Sequence, residues 1–68
     1  MRLNLKVFRV SKKMKQSDIA EKLGISSAAY SLIELGKRDG TITFWNKLKE
    51  TFNIPGNEMW SLMKKEEE

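Results

Sequence analysis

The chain has 68 residues, no cysteine, no histidine and a formal net charge of +4. A single domain is the only sensible count at this length, and the missing residue types exclude disulfides, thiol or imidazole catalysis, and Cys or His metal sites. No apolar stretch approaches the roughly 20 residues a membrane span needs, and the charged start lacks the apolar run of a signal peptide, so a cytoplasmic protein is expected.

Breakers at Gly24, Gly36, Asp39-Gly40 and the run from Asn53 to Gly56 cut the chain into short segments with helical patterning. The first segment covers about residues 3–13 and places Leu5, Phe8 and Lys12 on one face. The second covers 16–23, with Ile19, Ala20 and Leu23 as its apolar stripe and Gly24 suited to a left-handed stop. The third is capped by Ser26 and turns Ala29, Tyr30 and Ile33 inward until Gly36 ends it. The fourth starts near Thr41 and carries Trp45, Leu48 and Phe52, with Asn53 as its stop. Pro55 suits a helix start, so a fifth segment is expected over about 56–64, burying Met59, Trp60 and Met63. The stretch 41–45 is β-prone but finds no partner strand, so the fold class is all-α with five short helices. A core this small is marginal, which makes dimerisation an expected source of stability.

Charge is unevenly placed. Residues 1–17 carry Arg2, Lys6, Arg9, Lys12, Lys13 and Lys15 and no acid before Asp18, whereas the chain ends in Glu66, Glu67 and Glu68. A basic body fits a polyanionic partner, and it equally fits a solvated face. Residues 1–64 form the expected domain, and 65–68 an acidic, disordered tail.

The segment over about 16–35 has the form of two helices joined by a tight glycine turn. Ala20 is small, so the next helix can cross close over it. Gly24 permits the turn, Ile25 plugs the corner, and Ser26 caps the following helix. Tyr30 and Ile33 anchor that helix and leave Ser27, Ala28, Ser31 and Leu32 pointing outward.

The pattern Gln16-x-x-x-Ala20-x-x-x-Gly24-Ile25-Ser26, followed by Ile33-Glu34-x-Gly36-Lys37, resembles the Cro/Xre-type, lambda-repressor-like family of helix-turn-helix proteins over nearly the whole chain. The resemblance implies a DNA-binding transcriptional regulator, a repressor of phage, prophage or mobile-element type, with double-stranded DNA as partner and a symmetric homodimer as the working unit. It places Ser27, Ala28, Ser31 and Leu32 at the base edges. It places Lys15, Gln16, Ser17, Lys37 and Arg38 at the phosphates, and it pairs Arg9 with Glu34 in a structural ion bridge. Three positions depart from the family pattern. Lys15 stands where a capping Ser, Thr or Asn is common, Lys49 replaces a small apolar residue, and Gly40 replaces a proline.

The reading face is chemically modest. Arg, Lys, Asn and Gln make the bidentate base contacts, each worth about 1–3 kcal/mol, and this face offers two serines, an alanine and a leucine. Phosphate contacts and DNA shape are therefore expected to carry much of the affinity. Of the aromatic residues, one of Phe44, Trp45 and Trp60 is a candidate for an exposed dimer contact. Leu35 is apolar on a face expected to be exposed. A protein-interaction module of antitoxin or anti-repressor type, and a non-specific DNA binder, are the two rival readings. No catalytic residue, metal, cofactor, membrane or small-molecule ligand is expected, because the acids are scattered, no nucleophile has a base and no glycine-rich phosphate loop exists.

Overall fold

Capping chemistry decides where the helices begin and end. In the computed structural model, which describes residues 1–66, these are α1 (Leu3–Ser11), α2 (Gln16–Leu23), α3 (Ser27–Glu34), α4 (Ile42–Phe52) and α5 (Gly56–Met63). The described residues contain no strand. Ser26 Oγ accepts from the Ala29 N–H at 3.0 Å and Thr41 Oγ1 from the Phe44 N–H at 3.0 Å, each satisfying an orphan donor of a first helical turn. Gly24 and Asn53 close α2 and α4 in the left-handed conformation. The first helix is shorter than its periodicity predicts: it stops at Ser11 because Lys13 turns left-handed at φ 59°, and Arg9 O then accepts from the Met14 N–H at 3.3 Å.

One apolar core runs through all five helices. Leu5, Ile19, Tyr30 and Leu48 are its innermost side chains, and burying each such residue contributes on the order of 1.5–3 kcal/mol. Phe8 and Phe52 meet edge-on at 5.3 Å along one rim. Phe44 joins Trp45 and Leu48 in the core, whereas Phe52 is only half-buried.

The fifth helix corrects the sequence expectation. Met59 is buried as predicted, but its buried partner is Leu62, while Trp60 is 68% and Met63 40% exposed. Apolar residues lie on several sides of α5, so its sequence leaves the phase open. Tertiary contact sets it: Asn4 on α1 donates its amide to Ser61 O at 3.2 Å and Ser61 Oγ at 3.0 Å. Lys12, which helical spacing sets on the Leu5–Phe8 face, lies just past α1 as its C-cap and holds its ammonium over the Phe8 ring at 5.4 Å. The opposite side of α1 leaves Leu3, Val7 and Val10 exposed.

Lys65 pairs with Asp39 at 2.9 Å. The backbones of Met1 and Glu66 exchange two hydrogen bonds, at 2.7 and 3.1 Å. Glu67 and Glu68, the rest of the acidic tail, lie outside the described residues. No described helix is long and apolar enough to cross a membrane.

Candidate nucleic-acid interface

The site begins at the α2–α3 junction. Gly24 takes φ 72° and ψ 27°, a conformation open to glycine at no steric cost. The chain can then reverse within the turn, and the Ile25 N–H returns to Ala20 O at 3.1 Å. Ala20 is 1% exposed beneath the crossing, and Ile25 packs against the core at the corner. These contacts hold α3 across α2. Tyr30, Ile33 and Glu34 face inward, Ser27 and Ala28 are exposed, and Ser31 and Leu32 are partly so. The four residues expected at base edges thus share the outer side of α3, and Leu35, 44% exposed, lies just past its end.

Arg9 and Glu34 form a two-pronged bridge. Arg9 Nε donates to Glu34 Oε2 at 2.9 Å and Nη2 to Oε1 at 3.1 Å, while Nη1 reaches Met14 O at 2.8 Å. The bridge is largely shielded, with side-chain exposures of 11% and 3%. Burial alone would push the Glu34 carboxyl up, but the polar groups around it, Arg9 first, then Tyr30 and Gln16, outweigh it and hold the group below the usual carboxylate range. The hydrogen bond to Glu34 in turn raises Arg9. Tyr30 sits beside this pair. Its hydroxyl is buried close to Glu34 and Arg9 but meets neither in hydrogen-bonding geometry, and burial, reinforced by the nearby Glu34 carboxylate, pushes it far above the ordinary phenol range.

Gln16 takes part in this network: its amide donates to Glu34 Oε1 at 3.3 Å. The residue expected at a phosphate is therefore tied through its side chain to the inner face of α3. Lys15 and Ser17 beside it are exposed. Lys15 offers no side-chain cap, since an ammonium cannot accept a hydrogen bond. Asp18 supplies the reciprocal half instead, accepting the Lys15 backbone N–H at 2.9 Å.

The other flank is the α3–α4 loop, residues 35–41, where Lys37 and Arg38 are both exposed. Their backbone N–H groups return to Leu32 O at 2.9 and 3.2 Å. Gly40 has φ +79°, and a Cβ there would lie 3.1 Å from the Trp45 indole nitrogen. A proline, with φ fixed near about −65°, does not fit this loop.

Arg2, read from sequence as part of a basic segment, is 3% exposed. It belongs to the interior, and the solvent-facing positive charge near α2 comes from Lys12, Lys13 and Lys15. Lys49 is exposed on α4 with its stem beside Gly56. There it borders an open groove of about 270 Å³ between α4 and α5, lined by Ile42, Trp45, Met59 and Met63.

Two short helices crossing at a glycine turn, an outward face on the second and basic residues on both flanks have the form of a helix-turn-helix. The Cro/C1-type helix-turn-helix family matches residues 5–59, and the chain belongs to that family, a DNA-binding regulatory class with a lambda-repressor-like all-α fold. No curated protein and no solved structure matches it.

Proposed function

We propose that the protein is a transcriptional regulator, acting as a repressor by occupying its site, that lays α3 in the major groove of duplex DNA. Ser27, Ala28, Ser31 and Leu32 meet base edges in this reading. Lys15, Gln16, Ser17, Lys37 and Arg38 meet phosphates, and Gln16 also braces the start of α2 against Glu34. The observation that carries it is the joint outward placement of the α3 face and the Lys37–Arg38 pair on one frame. Ala28 and Leu32 suit thymine methyls, and the serines bond to several bases, so base contacts select modestly while phosphates hold.

The working unit in this proposal is a symmetric dimer, with two reading helices roughly 34 Å apart on the duplex. The exposed apolar side chains Ile42 and Met63, which line the α4–α5 groove, together with exposed Trp60 on α5, support a self-contact there. Selection of bound duplexes from a random pool at two salt concentrations tests the whole reading. A pseudo-palindromic motif should emerge, with affinity falling steeply as salt rises through counterion release. A pool that stays unenriched sinks sequence-specific reading. Binding that also survives Ser27→Ala with Ser31→Ala unchanged in preference marks a non-specific binder.

One observation favours a second reading. Leu32 and Leu35 give the α3 end an apolar character that suits a protein partner as well as DNA. A stable protein complex, together with no duplex affinity at low salt, would select that interaction role.

A further inference from the structure

Arg2 is a buried cation that forms no ion pair among the described residues, where the ion pairs are Arg9–Glu34 and Lys65–Asp39. The Asp39 carboxylate acts on it only at longer range and is itself paired with Lys65. Its guanidinium is satisfied by backbone carbonyls instead. Nε donates to Met63 O at 2.8 Å, Nη1 to Ile33 O at 2.6 Å and Arg38 O at 2.9 Å, and Nη2 to Asp39 O at 3.3 Å. The Trp45 ring lies 5.3 Å away, and the Arg2 backbone N–H reaches Glu34 O at 2.7 Å. Burying a charge among neutral acceptors is expensive, and an apolar side chain would fill the same space more cheaply. The acceptors indicate what the charge achieves. Apart from Met63 O, they belong to the last turn of α3 and to the loop that carries Lys37 and Arg38.

That loop has no regular structure and contains two glycines with positive φ, Gly36 and Gly40. Fixing such backbone costs about 1–2 kcal/mol per residue. Arg2 draws the carbonyls of Arg38 and Asp39 inward, Trp45 Nε1 shares Asp39 O at 3.1 Å, and the Lys37 and Arg38 side chains are left exposed. The ordering cost is met during folding, so it does not weaken DNA binding.

We propose that Arg2 is a positioning residue for the DNA backbone contact: it never touches DNA, but it presets the loop from which Lys37 and Arg38 reach the phosphates. This rests on the DNA-binding reading above. The test is a double-mutant cycle on the full chain, using a fixed random-sequence duplex of about 20 base pairs across a salt series. Circular dichroism measures the folded fraction of each variant, and affinities are corrected for it.

Arg2→Lys keeps the charge and loses the planar fork. It should weaken binding about 10-fold in the parent and less than about 2-fold when Lys37→Ala and Arg38→Ala are already present. The slope of log affinity against log salt should fall by up to about 0.9 for each phosphate contact the loosened loop loses. Equal losses in both backgrounds, or an unchanged salt slope, would mean that Arg2 only supports the fold, and would overturn the proposal. Trp45→Phe, which deletes the second donor to Asp39 O, runs in the same cycle and decides the matter if Arg2→Lys does not fold. It should show the same background dependence at a smaller factor. If the parent chain itself fails to bind the duplex at low salt, the DNA reading falls and this proposal with it, an outcome distinct from a parent that binds with no coupling to Arg2.

Discussion

Replacing Tyr30 with Phe should stabilise the protein. The Tyr30 ring is fully buried and packs at 6.3 Å against Phe44, contacts that a phenyl ring keeps. Its hydroxyl is buried and makes no hydrogen bond, although water satisfies it in the unfolded chain. An unsatisfied buried polar group costs about 1–3 kcal/mol, and the small void left by the oxygen returns part of that. A net gain of about 1 kcal/mol is expected, which raises Tm by about 4–8 °C for a domain of this size. Thermal and urea unfolding of Tyr30→Phe beside the parent measures it.

The same hydroxyl predicts the alkaline limb of stability. Its folded pKa is raised, so its contribution is intact below the ordinary phenol value near about 10 and is lost as the pH rises past it, because the unfolded chain ionises first. The chain has one tyrosine, so tyrosinate absorbance follows this group alone. Tyr30→Phe should remove its share of the alkaline loss. If Tyr30→Phe instead destabilises the protein by about 1 kcal/mol or more, the hydroxyl donates to Glu34 in solution, and the reasoning from an unsatisfied group is wrong.

Arg9→Met should destabilise by about 3 kcal/mol or more, because it strands the Glu34 carboxylate, a large share of the few kcal/mol expected of so small a domain. Arg9→Met combined with Glu34→Leu should recover most of that loss in denaturant titrations, and a double variant no better than Arg9→Met would contradict it. The lowered Glu34 carboxyl contributes stability above the ordinary carboxyl value near about 4.3 that is lost as the pH falls through the folded value. Unfolding of Glu34→Gln from pH 7 down to 3 should accordingly show a shallower acid limb than the parent. Gly24→Ala forces a Cβ into the left-handed turn at φ 72° and should cost about 1–2 kcal/mol, with duplex affinity per folded molecule unchanged; an unaltered urea midpoint would show that the turn tolerates a side chain.

The parts of this molecule that were legible in sequence are those written in residue types with narrow conformational roles. Gly24 marks a left-handed stop, Ser26 and Thr41 mark caps, and Ala20 marks a close crossing, because few other residues can hold those positions. The α5 phase was not legible. Met59, Trp60, Leu62 and Met63 offer apolar surface on several sides, and contacts from the distant N-terminal segment, Asn4 to Ser61 and Arg2 to Met63 O, help select the side that faces the core. The Lys15 start was half legible: the missing acceptor shows in its side chain, while the compensation lies three residues on, at Asp18. Arg2 was hidden for a different reason. Its partners are backbone carbonyls, which every residue possesses and no sequence displays, so counting arginine as surface charge is the natural error. The place of Gln16 in the motif points to a phosphate contact and to a brace, while the partner of that brace, Glu34, depends on how α2 and α3 cross.

The two tryptophans sit in opposite settings, Trp45 at 6% exposure against Trp60 at 68%. The protein therefore carries two fluorescent probes that a soluble quencher can tell apart. Trp60 should be the quenchable one, and its signal reports on the outer side of α5. Trp45 is shielded, with its indole N–H on Asp39 O and a guanidinium over its ring. Its emission colour is thus tied to the shape of the segment holding Lys37 and Arg38. Ordering or loosening of that segment can be watched in the native chain without attaching a dye.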